Sequence, residues 1–303
     1  MALADVQEFR LVLGTAQLGM AYGIANRVGK PDQEAATAIV RAAWQHGVRE
    51  FDTAQGYGDS EAVLGRAMAA LGIAGEARII TKITLPRDRD EAQHLRQAVQ
   101  ASLARLGVGR LYGLMLHRED ELDRLDAGLG RHLRQLVEDG LVERLGISVY
   151  SAARARQMLA CDGIEIVQIP ANMLDRRFEQ AAVFEEAARV AKTVYVRSVY
   201  LQGLLLMAEA DLAPAMAYAA PVLRKVVAMA AEAGVSRGEL AMMFVASAYP
   251  RAKIVVGVET PAQMETNVRV MEGRLPGNAV ARIRDVFRDV DEKVLNPSLW
   301  PAP

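Results

Sequence analysis

The chain has 303 residues, about twice the usual domain length, and its 51% hydrophobic and 24% charged side chains give ample core material, which excludes a disordered or collagen-like protein. Thirty-six basic against 37 acidic residues leave a net charge of −1, so no positive field exists to hold nucleic acid or an anionic membrane. One cysteine, Cys161, and four scattered histidines exclude an internal disulfide and a thiolate-rich metal site, and Asp5 and Glu8 interrupt any apolar leader; a reducing cytoplasm without membrane insertion is the expected setting, with no metal.

In chain order, the first predicted strand is FRLVLG (9 to 14). A helix follows from near Pro31 to Gly47, because Ala36, Ile39, Val40, Ala43 and Trp44 recur on one helical stripe. The second strand is VREFDTA (48 to 54), with Ser60 as N-cap of the next helix, and the third is ARIITKI (77 to 83). Leu95, Val99, Leu103 and Leu106 form another stripe, ending at Gly107. Strands four to seven are LYGLMLH (111 to 117), VERLGIS (142 to 148), IEIVQIP (164 to 170) and TVYVRSV (193 to 199), with Ser151 as a further N-cap. Two helical segments, 214 to 234 and 236 to 250, precede the eighth strand, AKIVVGV (252 to 258). Thr260, Pro261 and Gln263 then open a helix in capping-box spacing, and Val280, Ile283, Phe287, Val290 and Val294 form a last amphipathic helix packed outside or beneath the rest.

Apolar residues at consecutive positions mark strands buried on both faces, as in a parallel sheet. Eight such strands alternating with helices, without a linker, define an α/β fold: one domain over residues 1–303, a single (β/α)8 TIM barrel with extra helices before the eighth strand and at the C-terminus. In such a barrel the site lies at the C-terminal ends of the strands. Asp52 ends strand two, Tyr57 lies five residues on, Lys82 ends strand three and His117 ends strand four.

Each has an ordinary structural explanation, such as a turn cap, a loop aromatic, an ion pair or a rim histidine. Together they form a proton-transfer device. A cation about 4 Å from a phenol favours the phenolate by roughly 4 kcal/mol at an effective dielectric of 20. Asp52 would hold Lys82 charged, Lys82 would make Tyr57 acidic, and His117 would hydrogen-bond a carbonyl oxygen beside Tyr57. This suits protonation of an oxygen while hydride reaches the carbon.

The segments FDTAQGYGDSEAVLGRAM, IITK, LMLHRED, LGISVYS and VVGVETPAQMETNV, in this order between about residues 11 and 272, resemble the strand-end motifs of the aldo-keto reductases. The resemblance implies a nicotinamide-dependent reductase of a small carbonyl compound (aldehyde, ketone or sugar), with Asp52, Tyr57, Lys82 and His117 as catalytic tetrad. It further implies that Ser148 and Gln168, with Asn172 nearby, hold the nicotinamide amide.

Three positions depart from the family pattern. Val149 stands where an amide is usual, and Arg197 replaces the aromatic that stacks on the nicotinamide, where it faces either the cofactor or an anionic substrate. Gly257, Glu259 and Gln263 replace the basic residues that commonly bind the 2′-phosphate of NADP, and Asn267 lies in the same segment. NADPH or NADH is therefore the implied cofactor, with Glu259 favouring NADH through the ribose 2′-hydroxyl. Among the loops that would line the pocket, Tyr22 and Arg118 are the substrate-binding candidates. Alternatives are a regulatory barrel that binds nucleotide without turnover, a Schiff-base aldolase using Lys82, and a cofactor that cycles internally during sugar oxidation and re-reduction. Oligomeric state is left open.

Overall fold

Each strand pairs in parallel with its successor, and the last returns to the first to close a barrel: β1 Leu11–Gly14, β2 Glu50–Asp52, β3 Arg78–Ile83, β4 Leu111–Leu116, β5 Val142–Ser148, β6 Ile166–Pro170, β7 Thr193–Arg197 and β8 Lys253–Gly257. All eight lie at or within the predicted apolar runs. The computed structural model describes residues 9–86 and 91–301; the reading of residues 1–8 and the outer ends of a 1–303 domain lie outside them. Among the described residues, no helix is long and apolar enough to cross a membrane.

The runs are continuously apolar because each strand is covered on both sides. Val12, Ile80, Met115, Ile166, Tyr195 and Val255 point inward and fill the barrel. The intervening positions, Leu11, Leu13, Phe51, Ile79 and Leu114 among them, pack outward against the helices. The stripe read from the sequence does this in helix Gln33–Gln45, where Ala36, Ile39, Val40 and Ala43 are fully buried. Each buried Ile or Val there contributes roughly 1.5–3 kcal/mol. Asp32 caps the helix by accepting from Ala35 N at 2.8 Å.

Three local expectations are corrected. Ser60 is the first residue inside helix Ser60–Leu71 and not its cap; its hydroxyl donates to Thr15 O at 2.7 Å and lies 3.0 Å from Thr53 Oγ1, so burial among the strand ends outweighs capping. Thr260 does cap helix Pro261–Glu272, but Gln263 reaches back to Glu259 N at 2.7 Å, one residue before the capping-box position. The C-terminal helix stops at Val286. There the buried Arg176 donates to Arg284 O and Phe287 O, satisfying the last carbonyls, and Asp291 caps a new short helix Glu292–Leu295. This terminal segment lies outside the barrel, beside helix Arg237–Ala248. The first of the two extra segments divides into a 3-10 turn, Pro214–Ala219, and helix Ala220–Ala233.

The barrel floor is polar. Glu50 accepts from Lys253 Nζ at 2.7 Å and from the Tyr195 hydroxyl at 2.6 Å, with Arg78 Nη1 at 3.8 Å. Glu50 and Lys253 are 2% and 6% exposed, so the pair is desolvated and each charge depends on the other.

Candidate active site

Side chains alternate along a strand, so residues two beyond the interior layer also point inward, one step closer to the mouth. Val12, Ile80, Met115, Ile166, Tyr195 and Val255 are thus followed by Gly14, Lys82, His117, Gln168, Arg197 and Gly257. Asp52 and Ser148 complete the ring, Asp52 paired with Gly14 and Ser148 with Gln168.

Lys82, fully buried, makes three contacts with oxygen: Asp52 Oδ1 at 2.6 Å, Thr53 O at 3.1 Å and the Tyr57 hydroxyl at 3.5 Å, the outer limit of hydrogen bonding. Burial alone would push its proton off, but the Asp52 carboxylate, and after it Tyr57, hold Lys82 above the usual lysine value. Gln168 donates from Nε2 to the other Asp52 oxygen at 2.8 Å, and its own Oε1 is buried without a partner. The His117 ring stands edge-on to the Tyr57 ring, 5.7 Å between centroids and 86° between planes. Burial first, then the charges of Lys82 and Arg197, push His117 down to about 4, so it is neutral near pH 7.

Tyr57 is fixed by two close backbone approaches. A Cβ on Gly19 would sit 1.9 Å from Tyr57 O, and one on Gly58, whose φ is +59°, would sit 2.4 Å from Gly19 O. Only glycine fits at either place, and the two loops lock the tyrosine against the mouth. The Ser60 hydroxyl ties the same loop to Thr15.

On the other side of the ring, Gly14 and Gly257 are paired neighbours without side chains, and there the mouth opens into a cleft of about 420 Å³. Tyr22, Tyr57 and Arg197 border its inner end. Glu259, Gln263 and Asn267 border it along the segment after β8, and burial raises Glu259 above the usual carboxylate value. Gln263 and Asn267 are already engaged, the first with Glu259 N and the second by accepting from the Tyr200 hydroxyl at 2.7 Å. Asn172 is turned to backbone: Oδ1 accepts from Leu174 N and Asp175 N, and Nδ2 donates to Ser198 O. Arg118 stands at an exposed rim, bound through both Nε and Nη2 to Asp120.

Gln17 and Glu239 are among the cleft residues that escaped the sequence reading. Gln17, on a four-residue helix after β1, lies where a Cβ on Gly257 would come within 2.0 Å of its Oε1. Glu239 belongs to a capping box with Ser236 that opens helix Arg237–Ala248 and faces the cleft. The S-x-x-E spacing was a legible signal for the cap, though not for the direction it faces.

The chain belongs to the aldo/keto reductase family, whose model matches residues 10–288. It is 30% identical over 199 residues to the aldo-keto reductase str7 of Strobilurus tenacellus, an alignment that covers 64% of this chain and 57% of that relative's length. Among solved structures it is similar to the glycerol dehydrogenase AKR11B4 of Gluconobacter oxydans (TM-score 0.75, 22% identity, 97% of this chain and 95% of that one). It is also similar to an aldo-keto reductase of Klebsiella pneumoniae in complex with NADPH (TM-score 0.70, 18% identity, 92% and 90%).

Proposed function

We propose that the protein is a nicotinamide-dependent carbonyl reductase acting on an aldehyde, ketone or sugar, and on the corresponding alcohol in reverse. The observation that carries this reading is the line Asp52–Lys82–Tyr57, which ends at the wall of an open cleft with neutral His117 against the phenol. Membership of the family and the NADPH bound to the Klebsiella relative support it.

The residues fit the cofactor. The orphaned Gln168 Oε1 is an acceptor for a carboxamide N–H, Ser148 lies beside it in register, and the absent side chain of Gly257 lets the Gln17 amide close against the strand at the cleft wall. Arg197 borders that inner end, Asn172 ties the loop after β6 to Ser198, and Gly257, Glu259, Gln263 and Asn267 line the stretch suited to the adenosine. A nicotinamide, when bound, supplies or takes up the hydride. Tyr57 gives its proton to the carbonyl oxygen, and the Lys82 charge stabilises the phenolate left behind. Asp52 keeps Lys82 charged and aimed, while His117, neutral, offers an N–H to the same oxygen. Tyr22, beside Tyr57, shapes the space for the substrate, and Arg118 guards its outer rim. The wall near the adenosine end carries the carboxylates Glu259 and Glu239, which suits a ribose 2′-hydroxyl better than a 2′-phosphate.

Lys82 as an aldolase nucleophile requires a neutral amine, whereas here it donates to three oxygens and is held charged. The test is fluorometric binding of NADH and NADPH, followed by a panel of aldehydes, ketones and sugars with the better-bound cofactor. Turnover of panel members is expected. Cofactor binding without turnover of any of them would favour a nucleotide-binding barrel without catalysis, and borohydride trapping of substrate on Lys82 would favour the aldolase.

A further inference from the structure

Arg197 stands apart from the other partly buried arginines. Arg124 pairs with Glu91, Arg177 with Asp175, Arg10 donates to the Tyr249 and Ala246 carbonyls, and Arg176 caps a helix end. Arg197 is in no ion pair among the described residues. Its Nη1 donates to Ser198 Oγ at 3.3 Å, and its Nη2 is shielded from water with no acceptor. A charged donor left so costs more than a neutral one.

The guanidinium is nevertheless held in place. Its Cζ lies 4.3 Å from the centroid of the Tyr150 ring, and a cation over an aromatic face keeps its in-plane donors available. Tyr150 is anchored in turn, its backbone N–H donating to Glu119 Oε2 at 2.7 Å. On the other side Ser198 adopts a φ of +61°, and its carbonyl is held by Asn172. A left-handed conformation at serine is strained and persists only where its surroundings impose it. Arg197 borders the cleft beside Tyr57, and Tyr150 borders the adjoining hollow lined by His117 and Thr84. The positioned cation thus lies between the cofactor cleft and the space outside His117.

We propose that Arg197, on its Tyr150 platform, anchors an acidic group of the substrate, so that the preferred substrates are carbonyl compounds carrying a carboxylate. This deepens the reductase reading and rests on it. A planar guanidinium matches a carboxylate through two parallel hydrogen bonds, and a single unpaired cation balances a single negative charge; a phosphate dianion would call for more.

The test compares 4-oxobutanoate with its methyl ester, which presents the same aldehyde without the charge. The wild-type protein is expected to favour the acid at least tenfold in kcat/KM. That ratio should collapse toward one in Arg197→Gln and be partly kept in Arg197→Lys, which also controls for folding. Calorimetric titration with succinate, on protein saturated with oxidised cofactor, gives a second readout: at least tenfold weaker binding in Arg197→Gln. Equal use of acid and ester by the wild type, or a ratio unmoved in Arg197→Gln, overturns the anchor and leaves the reductase reading standing. An equal loss of affinity for reduced cofactor in Arg197→Gln would assign the guanidinium to the dinucleotide phosphates and overturn it as well. Arginine-dependent succinate binding with no carbonyl ever reduced would instead sink the reductase reading and keep the anchor.

Discussion

Gln168 donates to the Asp52 oxygen that Lys82 leaves free, 2.8 Å on one side of the carboxylate against 2.6 Å on the other. A carboxylate only accepts, so the Gln168 amide must present its nitrogen to Asp52, which leaves its oxygen buried without a partner. On the proposed reading, one residue thereby orients Asp52 and offers an acceptor to a carboxamide. In Gln168→Met both contacts vanish at similar side-chain length. The Kd for the reduced cofactor is expected to rise about 3- to 10-fold, the worth of one hydrogen bond, and a fluorescence titration measures it. An unchanged Kd would mean that the orphaned oxygen meets something else.

Tyr57→Phe removes the transferable proton and little else, since the ring keeps its edge-to-face contact with His117. kcat should fall by about 10²- to 10⁴-fold, with cofactor affinity within roughly twofold of wild type by the same reasoning. Steady-state rates close to wild type would remove Tyr57 from the reaction.

His117 links the site to acid stability. Its folded value of about 4 lies below the ordinary 6.5, so the unfolded chain binds the proton more readily. The resulting stability is full above about pH 6.5 and is lost as the pH falls toward 4, amounting to roughly 2 kcal/mol by pH 5. Urea unfolding at pH 7 and pH 5 should therefore show a smaller pH-dependent loss in His117→Asn than in wild type. Parallel losses in the two proteins would refute the assignment.

Glu259 sets the cofactor preference on the reading above. The wild-type protein is expected to bind NADH more tightly than NADPH, and Glu259→Ala to move the ratio of the two Kd values toward NADPH by on the order of 3- to 10-fold, the effect of relieving one partly screened repulsion. A wild-type preference for NADPH that the substitution leaves alone would count decisively against it.

The floor of the barrel makes a prediction about stability and not activity. Glu50→Leu takes the counter-charge from the buried Lys253 ammonium and the acceptor from the Tyr195 hydroxyl, at a cost of about 3–5 kcal/mol. Adding Lys253→Met should recover a large part of that loss. A double-mutant cycle in urea reads the coupling; additive losses would show that the two charges do not depend on each other.

The barrel was legible in the sequence because a parallel sheet covered on both faces writes uninterrupted apolar runs, and VVG or IIT cannot be half-wet strands. Asp52, Lys82 and His117 were legible for a related reason: each breaks such a run at its C-terminal end. What chain order does not reveal is which distant segment a side chain meets. A serine near a helix start looks the same whether it caps the helix or, like Ser60, ties two strand ends together. Asn172 was expected to face the cofactor, yet backbone groups of its own loop and Ser198 take up its amide. The stacking of Arg197 on Tyr150 joins the ends of β7 and β5, which are not neighbours in the barrel, so no local pattern announces it.

The paired glycines on β1 and β8 have a stereochemical consequence. The mouth carries the backbone of Gly14 and Gly257 with the Gln17 amide on one side and Tyr57 and His117 on the other, so its two sides differ. A ketone whose oxygen rests against Tyr57 and His117 turns just one of its two faces to the glycine side, and which face depends on how its two substituents are seated. On the reductase reading, reduction there would yield one enantiomer in excess, with the handedness of the alcohol set by which substituent each side of the mouth admits.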